Sequence, residues 1–275
     1  MIKTRFLCSL KVSAVVALSL SVYATGTKAE EIMIGGTGAA LGTMQMLADA
    51  YTKQHSDLSF KVLPSLGSGG GIKAMLASSI QIAVSSRPLK AAETQAGAVS
   101  FEYGSTPFVF VTPTTTKADG ITTQNLVDIY AGHLKQWPDG GQIRLVMRPI
   151  GDSDSEIIKN ISPAMRDAKS LAEQRKGMLF TVTDQETVES IETTPGALGP
   201  STLALVLSEK RSLKILSLDG VVPDAKSIAD GTYPLFKPMY IVTGPKLSPA
   251  AQGFVKFVGS PAGRDILTQT GHWVK

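Results

Sequence analysis

The chain has 275 residues, 43% of them hydrophobic, enough to bury one large core or the cores of two ordinary lobes. Its single cysteine, Cys8, excludes a disulfide framework. The formal charge of +4 resides in the N-terminal stretch: loss of Lys3, Arg5, Lys11 and Lys28 with a leader leaves 23 basic against 23 acidic residues. Bulk charge then gives no argument for nucleic-acid binding.

In chain order, an export signal comes first. Lys3 and Arg5 precede an apolar run over residues 6–22, short for a membrane span and followed by small residues. Cleavage is expected after Ala29, with Ala24 the near alternative, so residues 1–29 form a signal peptide and the mature protein is secreted. A lipidated cysteine would follow the apolar run, whereas Cys8 lies near its start, so the thiol leaves with the signal.

Strand-like runs then alternate with helical ones, the pattern of α/β lobes. Strands are predicted at 32–34, 58–63, 80–84, 108–111, 143–147, 213–218 and 239–242. The first helix is marked by Met44, Leu47, Ala48 and Tyr51 at i, i+3, i+4, i+7. Near the end, "SPAAQGFVKFV" and "SPAGRDILTQTG" each open with a serine cap and a proline suited to the first turn, and Gly271 stops the second helix. Two apolar runs, "TPFVFVTP" and "KPMYIVTGP", are bounded by prolines; they read as two buried strands or as a pair of strands linking two lobes.

Between the first strand and helix lie Gly36, Gly38 and Gly42, where free amide N–H groups and the helix dipole favour an anion. Glycines that merely ease a tight turn are an equal reading of this loop alone. A dinucleotide site fits poorly, because the spacing is GxGxxxG and no acid clearly ends the next strand. Two further loops change the balance: "SLGSGGGIKAML" follows the second strand with Ser68, and "AVSSRPL" follows the third with Ser85, Ser86 and Arg87. Successive parallel strands place such loops along one sheet edge, where ligands of open α/β sheets bind.

The ordered combination of "GGTGAALG", "GSGGGIKA", "VSSRPL", "RPIGDSDS" and "SPAGRDILTQTGHWV" resembles the periplasmic phosphate-binding proteins of ABC transporters. The resemblance covers essentially the whole mature chain. It implies the two-lobed class II periplasmic binding protein fold, an α/β architecture with two linking strands and a ligand cleft between lobes. Lobe I is then expected at 30–107 and 240–275, and lobe II at 108–239. The implied function is periplasmic capture of an inorganic oxyanion, above all phosphate, by a monomer that delivers it to an ABC transporter permease, without cofactor, metal or nucleic acid.

The same resemblance assigns Ala40 and Leu41 of the first loop, chiefly through the Leu41 N–H, with Ala40 standing where a hydroxyl residue is common. Ser68 matches the serine of the second loop, and Ser86 falls where many members carry an aspartate that accepts the proton of phosphate. Arg148 matches the anion-pairing arginine, a role suited to its planar fork of donors. After it, Gly151, Asp152, Ser153, Asp154 and Ser155 replace a neutral Ser-Gly-Thr turn. Ser153 and Ser155 are candidate ligands, and a capping box of Ser153 with Glu156 is expected. Asp152 and Asp154 read either as acids that favour a helix N-terminus or as groups facing the cleft, with Asp154 the candidate acceptor.

Other residues carry less. Arg87 reads as an exposed arginine before a rim charge, and Trp137 and Trp273 read as packing residues. His55, His133 and His272 lack any metal-ligand spacing. Ser68 lacks a GxSxG frame and a partner base, so an enzyme is not expected. The alternative is a signalling or adhesion module of the same fold with a weakened cleft.

Overall fold

The computed structural model describes residues 30–274. The expected signal, with Cys8 and the cleavage site, lies outside the described residues. Among those described, no helix is long and apolar enough to cross a membrane.

The chain begins with β1 (Glu30–Gly36), α1 (Gly38–Thr52), β2 (Leu58–Val62), α2 (Gly67–Leu76), β3 (Ile82–Ser85) and α3 (Ala91–Gln95), then enters a 15-residue strand, β4 (Val99–Pro113). There follow β5 (Gly120–Ile121), α4 (Thr123–Ala131), β6 (Arg144–Met147), α5 (Ser153–Lys159), α6 (Pro163–Gln174), β7 (Leu179–Phe180) and α7 (Asp184–Thr193). Next come β8 (Ala197–Thr202), α8 (Leu203–Ser208), β9 (Leu213–Ile215), β10 (Ser217–Leu218) and α9 (Ala225–Ala229). The chain returns through β11 (Phe236–Thr243) to α10 (Pro249–Val258) and α11 (Pro261–Gln269).

The main sheet runs β2-β1-β3-β11-β4-β8-β6-β7, with β9 also on β4. β1 is parallel to β2 and β3, as crossover helices α1 and α2 require. β4 is antiparallel to β11 over residues 99–107 and to β8 and β9 over residues 108–113. One strand therefore belongs to both halves of the molecule, and β11 returns beside it, so the two proline-bounded runs lie where the lobes join.

Strand alternation divides the cores. Phe108 and Phe110 face a cluster with Leu126, Tyr130 and Met165, while Val109 and Val111 face one with Val188 and Ile191. In the other lobe, Ile32 and Ile34 pack with Met44, Leu47 and Phe254, and Met33 lies on the opposite face with Ile72 and Ala83. All four helical positions read from periodicity, Met44, Leu47, Ala48 and Tyr51, are buried. Ser248 and Ser260 cap α10 and α11 by accepting from Ala251 N–H and Gly263 N–H, each with proline at the helix start. Gly271, at φ 76°, ends α11.

Several strand boundaries differ from the sequence reading. The strand predicted at 108–111 begins at Val99, because pairing with β11 holds extended a segment that starts exposed and mixes apolar with polar residues, so a search for continuous apolar runs misses it. The run 213–218 splits into β9 and β10 on separate partners. β8 was not predicted: its Gly199-Pro200 pair reads as a turn, yet Pro200 stands opposite Phe110 in an antiparallel ladder.

Beyond α11, Trp273 N–H donates to Ser105 O at 2.7 Å and Ser105 N–H to Trp273 O at 2.9 Å, tying the C-terminus to β4. His272 just before it is fully buried, and burial drives its pKa from 6.5 down to about 4. Its folded form resists a proton that the unfolded chain accepts, so stability present above pH 6.5 is lost as pH falls toward 4. The expected loss from this residue is about 2 kcal/mol between roughly pH 7 and pH 5. Urea unfolding at both pH values checks it, with the loss reduced in His272→Gln.

Candidate functional site

Three loops of lobe I meet at one point. α2 approaches the end of β1 so closely that a Cβ on Gly71 would stand 2.5 Å from Gly36 Cα and 2.9 Å from Gly35 O, a contact that only glycine permits. That approach brings the start of α2 to the third loop: Ser68 Oγ accepts from Ser86 N–H at 3.0 Å and lies 3.3 Å from Ser86 Oγ. Thr37 Oγ1 donates to Ser86 Oγ at 3.4 Å, so hydroxyls from all three loops form one cluster, buried at Thr37 and Ser86 and half-buried at Ser68. Thr37, unassigned from sequence, is the N-cap of α1, but its side chain makes no cap bond. Ala40 and Leu41 are buried here, and Ala40 N–H is turned to Thr37 O at 3.2 Å.

In lobe II, β6 ends just before Arg148, and the turn into α5 wraps around its guanidinium. Nε and Nη2 donate to the two Asp152 oxygens at 3.3 and 3.0 Å, and Nη1 donates to Thr181 O and Thr187 Oγ1 at 3.2 and 3.3 Å. Most of the fork expected to grip a ligand is thus engaged with protein, leaving one Nη2 N–H by count of its five donors. The predicted capping box of Ser153 with Glu156 does not form. Asp152 is the N-cap and accepts from Asp154 N–H at 3.0 Å, because an aspartate one residue earlier reaches the free amide while pairing with Arg148. Ser155 Oγ donates to Arg148 O at 2.9 Å, and Ser153 Oγ to Asp154 Oδ1 at 3.2 Å.

Asp154 is 2% exposed and pairs with Lys237 Nζ, so the expected free acceptor is held in an ion pair. Lys237 lies in β11 opposite Thr106, where the lobes join, with its ammonium 5.7 Å from the centre of the Phe108 ring. Burial works against its charge, but Asp154 and Asp184 outweigh burial and hold its pKa above the ordinary lysine value. Arg148 behaves alike: burial opposes its charge, and Asp184, Asp154 and Asp152 together raise its pKa. Lys237 and Asp184 were missed as site residues. A lysine inside an otherwise apolar strand was the available signal for the first.

The lobes touch at this cluster. Gln185 Nε2 donates to Gly38 O at 3.0 Å, and a Cβ on Gly38 would collide with Gln185 Oε1 and stand 2.7 Å from Asp184 Oδ2. Arg87 is half-buried and donates to both Glu93 oxygens, at 2.9 and 2.7 Å, so it is a local strut. Trp137 is a packing residue, buried with its indole N–H on Gly196 O. A surface cavity of about 490 Å³ on lobe II, lined by Arg144, Leu145, Arg175 and Met178, shares no residue with the cluster. Arg144 and Arg175 both donate to backbone carbonyls there.

Known proteins share this fold. Residues 21–262 match the PBP superfamily domain. The chain is 24% identical over 247 residues to the phosphate-binding protein PstS of Borreliella burgdorferi, covering 87% of this chain and 88% of that one. The fold is shared with a putative phosphate ABC transporter substrate-binding protein with bound phosphate from Clostridium perfringens (TM-score 0.72, 20% identity, 90% and 99% of the two chains). It is shared also with an ABC-type phosphate transport receptor from Vibrio cholerae (TM-score 0.61, 20% identity, 89% and 100% covered). A sheet threaded by one strand common to two lobes, a cluster of loops where they meet and a match over most of the length place the chain in the PBP superfamily.

Proposed function

We propose that the protein captures an inorganic oxyanion, phosphate above all, between its lobes and delivers it to the permease of an ABC transporter. The observation that carries this reading is the meeting of Thr37, Ser68 and Ser86 hydroxyls with the start of α1, while Arg148 and Lys237 bring buried positive charge to the same junction. Relatives named for phosphate binding supply the ligand. Ala40 and Leu41 line the helix start, and Ser153, Asp154 and Ser155 hold the lobe II wall in shape. Lobe I is 30–107 with 240–275, and lobe II is 108–239. The protein acts as a periplasmic monomer, exported by residues 1–29.

Ser68 bonds Ser86 rather than a base, which argues against nucleophilic chemistry, and phosphate esters are expected to remain intact on incubation. The internal pairing of Arg148 with Asp152 and of Lys237 with Asp154 favours one second reading, a signalling or adhesion module whose cleft has lost affinity. Native mass spectrometry of exported protein separates them. One phosphate retained per chain is expected; a bare chain after purification from phosphate-rich medium would favour the second reading.

Closure also has a steric test. The α1 contact with α7 and α8 leaves Thr43 Oγ1, Gln185 Oε1 and Ser208 Oγ buried without partners, a cost that makes contact weak unless a ligand joins the lobes. Gly38→Ala inserts a methyl between α1 and Gln185 and Asp184. The expected result is about a tenfold loss of phosphate affinity, as overpacking a close contact implies. Small-angle scattering with phosphate checks it: wild type compacts and Gly38→Ala compacts less.

A further inference from the structure

We infer that the surface cavity on lobe II is a second binding site, one that takes a monocarboxylate carried on an aliphatic body. It stands apart from the lobe junction, and the inference does not depend on what the junction binds.

The cavity lies at the far end of β6 from the junction. Arg144 opens that strand and Arg148 follows its last residue, so about 13 Å of extended chain separates them at roughly 3.3 Å per residue. The end of α4, the start of β6, the end of α6 and β7 supply the walls. Gly132 ends α4 at φ 87°, and a Cβ there would stand 2.7 Å from Arg175 Nη2, so glycine lets the guanidinium lie against the helix end. Arg175 is fixed in that place by donating to Tyr130 O at 2.8 Å. The volume, about 490 Å³, falls within the span of ligand pockets, roughly 300–1,000 Å³.

Two features of the lining select the guest. Leu134, Leu145, Met178 and Leu179 present apolar surface, and Leu179, in the edge strand β7, is 43% exposed. Lys135, Arg144 and Arg175 present positive charge with no acid in the lining, and none of the three pairs with a carboxylate among the described residues. Arg144 Nη1 donates to Pro195 O, which steadies the guanidinium and leaves Nε and Nη2 without a partner among the described residues. Those two N–H groups lie side by side and match the two oxygens of a carboxylate. A neutral apolar guest leaves the charges unmatched, and an inorganic anion sets charge against aliphatic walls. A carboxylate with an aliphatic tail satisfies both surfaces.

The test is calorimetric titration of sodium octanoate into exported protein, with and without excess inorganic phosphate. Octanol and acetate, titrated separately, stand for the tail and the head alone. Octanoate is expected to bind saturably, one per chain, about tenfold or more tighter than octanol or acetate, and equally well with phosphate present. Arg144→Gln, a change at an exposed side chain, should weaken octanoate about tenfold, the scale of a hydrogen bond to a charged group, and leave octanol unchanged. Leu179→Ser, also at an exposed position, should weaken octanoate and octanol together. The inference falls if octanoate gives no saturable heat, if octanol binds as tightly as octanoate, or if Arg144→Gln binds octanoate as wild type does. Displacement of octanoate by phosphate would also overturn it, by placing the probe at the lobe junction.

Discussion

Lys237→Met is expected to destabilise the protein by about 3–5 kcal/mol, because it leaves Asp154 buried without its counter-ion. Both partners lie almost entirely out of water, at 1% and 3% side-chain exposure, so little solvent screening is available to soften the loss. The loss also removes the cation nearest the lobe junction, leaving Arg148 to balance Asp152, Asp154 and Asp184. The double variant Lys237→Met with Asp154→Leu recovers most of the stability, since replacing a whole buried pair by apolar side chains is close to neutral. Urea unfolding of wild type, single and double variants measures both halves of the statement. A single variant as stable as wild type would show that the pair is not desolvated.

Arg148→Ala is expected to weaken phosphate binding by about a hundredfold, the upper range for a hydrogen bond to a charged group, because a buried charge and an N–H donor vanish together. Asp152 loses both of its guanidinium bonds, and Asp184 loses a cation that opposes its own burial. Arg148→Lys restores the charge but not the paired bonds to Asp152, so it recovers affinity only in part. Calorimetry with phosphate reads each step, and an unchanged dissociation constant in Arg148→Ala would place the site elsewhere.

The α/β layout, the first helix and the two Ser-Pro helix starts were legible because each depends on local signals: periodicity, caps and loop glycines. Ser68 and Ser86 were legible for a topological reason, since loops after successive parallel strands must share an edge. Arg148 was found by resemblance, but its bonds to Asp152 were not foreseen. Asp152 lies four residues on, and which acid caps α5 follows from the turn geometry rather than from residue type. Lys237 and Asp184 escaped for reasons of distance and disguise. Lys237 meets Asp154 across 83 residues of chain, and nothing local announces that pairing. Asp184 sits within Thr183-Asp-Gln-Glu186, where an acid in a helix's first turn has a routine explanation, and only burial reveals a different one. β4 and β8 were misjudged because neighbouring strands, not their own composition, hold them extended.

The central claim, that the two lobes close on phosphate at the junction of Ser68, Ser86, Arg148 and Lys237, is tested most directly by calorimetric titration of inorganic phosphate into exported protein stripped of ligand by reversible unfolding. Saturable binding of one phosphate per chain is the expected result. No saturable heat even at millimolar phosphate, where binding would be worth only about 4 kcal/mol, would contradict it.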